Sequence, residues 1–399
     1  MKSAKTFNLH STIYWRKPMA NIAKIEVTGQ DILASLQVFF KAVLEKGEVQ
    51  ALLVPQRLPM KNVVMPTLVT DPEKLNGIDP LAPLFPTNAA KVVSRLARRP
   101  IGEPVAVVLR PCEIRAFIEL VKLKQGSMAD VVLVGLDCLG AYGNVNYSRF
   151  AGEDGAESTL RFFQNAISGK GTAHEDFDIS PACKACEYPV PENADLLIGF
   201  LGVDSSDHLL LKGNTPRGED LLGKLGLPKI QEPKERTRAI EDLVSERIAY
   251  RDQMFEETSQ ATSDIKKLTA YLANCINCYN CRVACPVCYC KECVFATNVF
   301  DHEPSQYLRW AKRKGIIKMP TDTIFYHLTR LAHMSTACIG CGQCSNACPN
   351  DIPVMEIFRT VANYTQKAFD YEAGRSLEDE PPLSVFREVE FRELTGGKD

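Results

Sequence analysis

Apolar and polar positions follow two regimes along this chain. In the first half, short apolar runs stand between turn residues. In the second, apolar residues recur every three to four positions. Val49–Val54 and Val63–Thr70 are β-branched runs set apart by Pro55 and Pro59, and they read as strands. Asn88–Arg98 has apolar residues at helical spacing. Val105–Leu109 and Val131–Leu136 are unbroken apolar runs, as buried strands are. Between them, Cys112–Lys124 puts Ile114, Phe117, Ile118, Val121 and Leu123 on a helical pattern. A strand–helix–strand unit follows, its helix being the crossover that parallel strands require. Gly140–Glu175, rich in Gly, Ser and charge, reads as a surface excursion with one helix near Ser158–Ile167. Two more apolar runs, Ala194–Phe200 and His208–Lys212, flank the loop Gly202-Val203-Asp204-Ser205-Ser206.

Glu232–Ser263 is charged, with apolar residues at helical spacing, and predicts one or two helices. Ser263 is a cap for a helix over Asp264–Leu272, and Thr321-Asp322 for one over Ile324–Met334. Tyr307, Leu308, Trp310 and Ala311 share a helical pattern, with Tyr307 and Trp310 expected in the core. A last helix spans Pro353–Phe369. The tail from Gly374 carries Glu378, Asp379 and Glu380 before two prolines; it reads as a strap or as disorder.

The helices before Cys275 and Cys338 deliver the chemistry. Cys275, Cys278, Cys281 and Cys285-Pro286 are spaced C-x2-C-x2-C-x3-C-P, and Cys338, Cys341, Cys344 and Cys348-Pro349 repeat the pattern. This is the run of two-cluster ferredoxins, in which the fourth Cys ligates the other cluster. The spacing therefore groups Cys275, Cys278, Cys281 and Cys348 around one 4Fe–4S cluster. Cys338, Cys341, Cys344 and Cys285 surround the second. Zinc favours two separated pairs.

Fifteen cysteines with no secretory signal at the N-terminus point to metal in a reducing compartment instead of disulfides. A net charge of −2 offers no basic surface for nucleic acid. No apolar run is long enough to span a bilayer. The expected location is cytoplasmic, without membrane insertion.

Cys112 and Cys138 each follow the carboxyl end of an expected parallel strand, the edge where ligands collect in open α/β sheets. Cys112 also opens a helix, where the dipole favours a thiolate. Cys183-x-x-Cys186 supplies two more thiols. The four together are candidates for a third 4Fe–4S cluster, with zinc or unligated thiols as alternatives. Three cysteines remain, Cys288, Cys290 and Cys293. They are expected to pack near a cluster; the alternatives are another cluster with His302 as a conceivable fourth donor, or one of them in place of Cys285. Arg95, with Arg98 and Arg99, ends a helix and is either solvated or a phosphate clamp. Gly202, Ser205 and Ser206 form either a cofactor cradle or a plain turn.

Arg110-Pro111-Cys112-Glu113-Ile114-Arg115-Ala116 resembles the Thr-Pro-Cys-Gln-Ile-x-Ala stretch of the coenzyme F-420 hydrogenase/dehydrogenase beta-subunit family. Cys138 is similar to that family's next Cys. Cys183-Lys184-Ala185-Cys186 and Ala194-Asp195-Leu196-Leu197-Ile198-Gly199 resemble its C-x-x-C and the strand after it. Met65-Pro66-Thr67-Leu68-Val69 is a weaker match. The likeness covers roughly residues 30–215, but here the ferredoxin motifs lie C-terminal and Arg110 replaces the Thr. The second half resembles the helical two-cluster ferredoxin module of heterodisulfide reductases. The resemblance implies FAD beside a cluster, hydride exchange with F-420, and a role in anaerobic metabolism.

The expected architecture is an α/β N-terminal domain with a mixed sheet, plus an all-helical two-cluster ferredoxin domain at the C-terminus. Its boundaries are an extension over 1–30, the α/β domain over 31–215, a helical linker over 216–262, the ferredoxin domain over 263–373 and a tail over 374–399. The expected function is an iron–sulfur flavoprotein electron-transfer subunit of an oxidoreductase. Its partner would be the catalytic subunit of a formate dehydrogenase or hydrogenase, or heterodisulfide-reductase-like subunits. The competing expectation is a flavin-free adaptor between such modules.

Overall fold

The computed structural model describes residues 21–59, 63–152 and 155–384. Most of the expected N-terminal extension, and the end of the tail, lie outside the described residues.

The first half is built on one seven-stranded sheet in the order β1-β7-β6-β5-β4-β2-β3. Its strands are β1 (Ile22–Glu26), β2 (Ala51–Arg57), β3 (Val64–Val69), β4 (Val105–Leu109), β5 (Val131–Leu136), β6 (Leu196–Gly199) and β7 (His208–Gly213). β2, β4, β5 and β6 run parallel, while β3, β7 and β1 pair antiparallel at the two edges. The sheet is therefore mixed, as expected. β1 falls within the expected extension, yet it belongs to the sheet; its register partner begins at Lys212, far along the chain.

Every residue of β4 and β5 is buried. Val105, Val107 and Leu109 face a core layer over one side, and Ala106 and Val108 face the other. This is why those runs are apolar without alternation. Helices cover both faces. α1 (Ile32–Lys46) packs with Leu36, Phe40 and Val43 on one side. α2 (Ala90–Leu96) and α3 (Pro111–Lys122) pack on the other. Glu113 fixes the start of α3 by accepting from Arg110 N at 2.9 Å and from Ala89 N at 2.8 Å.

The excursion after β5 is more ordered than its composition suggests. It contains α4 (Asn144–Ala151) and α5 (Gly155–Ile167), and buries Tyr142, Tyr147, Phe150 and Phe162 in a small aromatic core. The short α6 (Pro181–Lys184) follows, begun by Ser180. α7 (Pro216–Leu225), expected in the linker, instead packs Leu221, Leu222 and Leu225 into the main core.

α8 (Lys234–Ala261) is one helix of 28 residues that joins the halves. The rest is helical: α9 (Ile265–Tyr271), α10 (Asn280–Ala284), α11 (Pro304–Lys314), α12 (Thr323–Met334), α13 (Gln343–Asn346) and α14 (Val354–Ala368). Asp264, not Ser263, caps α9 through Lys267 N. α11 buries none of its residues. Trp310 and Tyr307 are only half-buried and stack with His302 outside the core.

The helical half sits against the carboxyl edge of the parallel strands. Gln343 and Asn346 donate to the Phe85 carbonyl at 2.8 and 3.1 Å, and Lys91 reaches the Val283 and Cys285 carbonyls. After α14 the chain straps back onto α3. Glu119 accepts from Tyr371 and from Gly374 N, both at 2.6 Å.

Candidate metal centres

The two cysteine motifs have the same backbone. In each, the second residue after the first Cys and the residue after the second Cys are left-handed: Asn277 and Tyr279 in one, Gly340 and Gly342 in the other. These turns fold each loop around its three thiols, with α10 or α13 beginning at the third.

The loops do not close on their own fourth Cys. One small cavity is walled by Cys275, Cys278, Cys281 and Cys348. A second is walled by Cys285, Cys338, Cys341 and Cys344. Thus each run contributes three thiols to one cavity and its last to the other. Among the described residues no three His, Cys, Asp or Glu groups gather tightly enough for a single metal ion. Four thiols spaced around a cavity suit an inorganic cluster better than one zinc ion.

Around the first cavity α12 supplies donors to sulfur. Arg330 Nη1 lies 3.1 Å from Cys281 Sγ, Tyr326 OH 3.3 Å from the same atom, and His327 Nε2 3.3 Å from Cys275 Sγ. Burial, with Arg330 and Lys318 nearby, pushes His327 down to about 4, so its ring is neutral at neutral pH. Arg330 also walls the second cavity and feels the charges of Cys281, Cys285 and Cys344, so it is one buried cation between the two sites. The sequence does not single out any of the three. Their only signal is helical periodicity, which they share with the core.

The four remaining candidates also converge. Burial pushes Cys112 well above the usual thiol range, and the neighbouring Glu113, then Cys138, Cys341 and Cys186, add to it. Burial pushes Cys138 up to about 11, with contributions from Cys183 and Cys186. Cys112 opens α3 after β4, Cys138 follows β5, and α6 carries Cys183. Arg247 of α8 ties Cys138 and Cys186 together through their carbonyls, at 3.1 and 3.4 Å. Burial likewise raises Cys285, Cys338 and Cys344. A thiol must lose its proton to ligate a metal.

This third site lies beside the second cavity. Gly342 faces Ala182 of α6 so closely that a Cβ there would stand 2.4 Å from the Ala182 Cβ. Ala182, Ala185, Met254, Phe255 and Met355 pack around Cys344 at the same seam. Gly342→Ala is expected to cost about 1–3 kcal/mol, from the left-handed backbone and the clash, and to move the loop off α6. Chemical denaturation and spin–spin broadening between clusters in EPR measure the two effects.

Cys288 and Cys293 pack with the thiols of the helical core, whereas Cys290 is exposed. His302 stacks on Trp310 and Tyr307. The four cofactor candidates are Arg95, at the end of α2, and Gly202, Ser205 and Ser206, in the loop after β6. On either side of Gly202, Leu201 packs on one sheet face and Val203 on the other. A Cβ on Gly202 would stand 2.5 Å from Arg236 Cα, so the start of α8 fills that loop. Ser206 donates from its amide and hydroxyl to the exposed Asp204 carboxylate, at 3.1 and 2.6 Å.

Residues 271–352 match the family of the 4Fe-4S dicluster domain. The chain is an iron–sulfur protein. Along 85% of its length this iron–sulfur chain is 25% identical to the F-420-dependent formate dehydrogenase subunit beta of Methanocaldococcus jannaschii, covering 91% of that protein. It is also 25% identical over 88% of its length to the F-420-dependent formate dehydrogenase 1 subunit beta of Methanococcus maripaludis, covering 92% of that one. A chain of the F-420-reducing [NiFe] hydrogenase complex from Methanosarcina barkeri superposes on 62% of it and 94% of its own length, at 17% identity and a TM-score of 0.43. The similarity to beta subunits read from the N-terminal motifs thus extends into the C-terminal half. Among the described residues, no helix is long and apolar enough to cross a membrane.

Proposed function

We propose that this chain is the electron-transfer beta-type subunit of an oxidoreductase complex, with its catalytic centre on another subunit of formate dehydrogenase or hydrogenase type. The observation that carries the reading is the series of three four-thiol sites. Cys112, Cys138, Cys183 and Cys186 hold a cluster at the sheet edge. Cys285, Cys338, Cys341 and Cys344 hold the next. Cys275, Cys278, Cys281 and Cys348 hold the last, where Cys278 and Ile276 are exposed. Adjacency of the third site to the second, and of the second to the first across Arg330, makes a wire from the sheet to the surface. Donors to the sulfurs of Cys275 and Cys281 raise the potential of that end, since hydrogen bonds to sulfur stabilise the reduced cluster.

A flavin, when bound, divides a hydride from a carrier such as F-420 into single electrons. The Gly202 loop is not offered as its cradle, because α8 occupies it. That occupancy is also what favours the flavin-free adaptor as the second reading.

Anaerobic iron and sulfide analysis with EPR after dithionite tests the wire. About three cubanes per chain are expected; protein free of sulfide would defeat the reading. Flavin released on denaturing the intact protein separates the subunit with hydride chemistry from the adaptor.

A further inference from the structure

α11 buries none of its residues, and its Leu308 is 70% exposed. The chain then turns at Gly315 into Ile316, which is 79% exposed, and reaches α12, where Phe325 is exposed as well. Val299, ahead of α11, is another exposed apolar side chain. These residues surround a cavity of about 580 Å³ formed by α9, α11, the turn after α11 and the start of α12. One exposed apolar side chain needs no explanation, but a group of them around a hollow marks an interaction site.

The rim is basic. α11 carries Arg309, Lys312, Arg313 and Lys314 and no carboxylate. Lys312, Arg313 and Lys314 form no ion pair among the described residues. Of the residues that line the cavity Asp322 alone is acidic, against Arg313, Lys314 and Lys318. Asp322 is already taken, since it accepts from Asn277 Nδ2 at 3.0 Å. Asp301 and Glu303 stand at the opposite end of α11 from the three bases, about 15 Å along the helix. That exceeds the screening length of about 8 Å at physiological salt. Residues 299–325 thus hold five bases and three acids, in a chain of net charge −2. The cavity also adjoins the outermost thiol site. Lys318 donates to the Cys275 carbonyl at 2.9 Å, and Asn277 belongs to the loop that bears the exposed Cys278.

We propose that this face docks an acidic protein carrying a one-electron centre. Its carboxylates meet Lys312, Arg313 and Lys314, and its apolar surface covers Leu308 and Ile316. Complementary charge of this kind guides encounter and fixes orientation. An apolar hollow with a charged rim has the anatomy of a protein interface. The proposal rests on reading the Cys275 site as the outer end of the wire. One electron passes to the partner's centre, which is reduced as the donor site is oxidised; no bond forms and no proton moves.

The test mixes the reduced, cluster-replete full chain, freed of dithionite, with the soluble domain of cytochrome b5, an acidic one-electron haem protein. Stopped flow follows haem reduction under anaerobic conditions. The rate should fall as salt is raised, whereas the rate with cytochrome c, a basic haem protein, should not. Joint replacement Lys312→Glu, Arg313→Glu and Lys314→Glu should slow transfer to cytochrome b5 on the order of tenfold or more. Iron, sulfide, EPR signals and oxidation by the small neutral acceptor duroquinone should be unchanged. Leu308→Ser with Ile316→Ser should slow transfer on the order of tenfold at high salt, where apolar contact carries the binding. Transfer indifferent to salt and to the substitutions would overturn the proposal. So would no transfer to cytochrome b5 from a chain that duroquinone still oxidises. Binding to phosphatidylglycerol vesicles, lost in the triple variant while cytochrome b5 reacts as before, would make the patch a membrane-surface site instead. A dimer of the free chain that the substitutions dissociate would assign the face to a second copy and equally defeat it. Absence of iron and sulfide would defeat the wire, and the proposal with it.

Discussion

Cys285→Ala is expected to abolish the cluster bounded by Cys338, Cys341 and Cys344, and to spare the one nearest to it in sequence. The reason is that Cys285 turns out of its own loop into the cavity of the second motif. The change should remove about four irons per chain, the content of one cubane. Double variants make the test sharper, because mutations within one unit are not additive. Cys285→Ala with Cys341→Ala should lose no more iron than either alone. Cys285→Ala with Cys278→Ala should lose about twice as much. An additive loss in the first pair would show that each run closes on itself. The thiols belong to the core of the helical half along with Leu272, Tyr326 and Phe358. Loss of either cluster should therefore also lower that half's melting temperature.

Arg236→Met should destabilise the protein by roughly 3–5 kcal/mol, the cost of stranding a buried charge. Arg236, at the start of α8, meets Asp137 in two parallel bonds of 2.6 and 2.9 Å, and both side chains are almost wholly buried. Asp137 also accepts from the Phe200 and Leu201 amides at 2.9 and 3.0 Å. It immediately precedes Cys138, so the pair fixes where the sheet presents that thiol. Denaturant unfolding reads the stability, and iron content reads the site. A loss below about 1 kcal/mol, the range of exposed pairs, would mean that the pair is not holding the edge together. Asp137→Asn with Arg236→Met should recover part of the loss, since no unpaired charge then remains.

Sequence alone determined the iron–sulfur chemistry of the helical half, because three thiols of each ferredoxin-type site are neighbours along the chain and their spacing is a local property. It also determined the buried parallel strands, whose apolar runs need no alternation when both faces are covered. What depends on distant residues was decided only in three dimensions. β1 is a strand because it finds β7, and no local pattern announces that pairing. His327, Tyr326 and Arg330 reach the thiols across some fifty residues of chain, with a helical spacing that serves core packing equally well. The cavity beside the Cys275 site exists only where α9, α11 and α12 meet, and its lining is scattered from Thr269 to Phe325. Ligand spacing is written by neighbours, whereas wires, seams and cavities are written by packing.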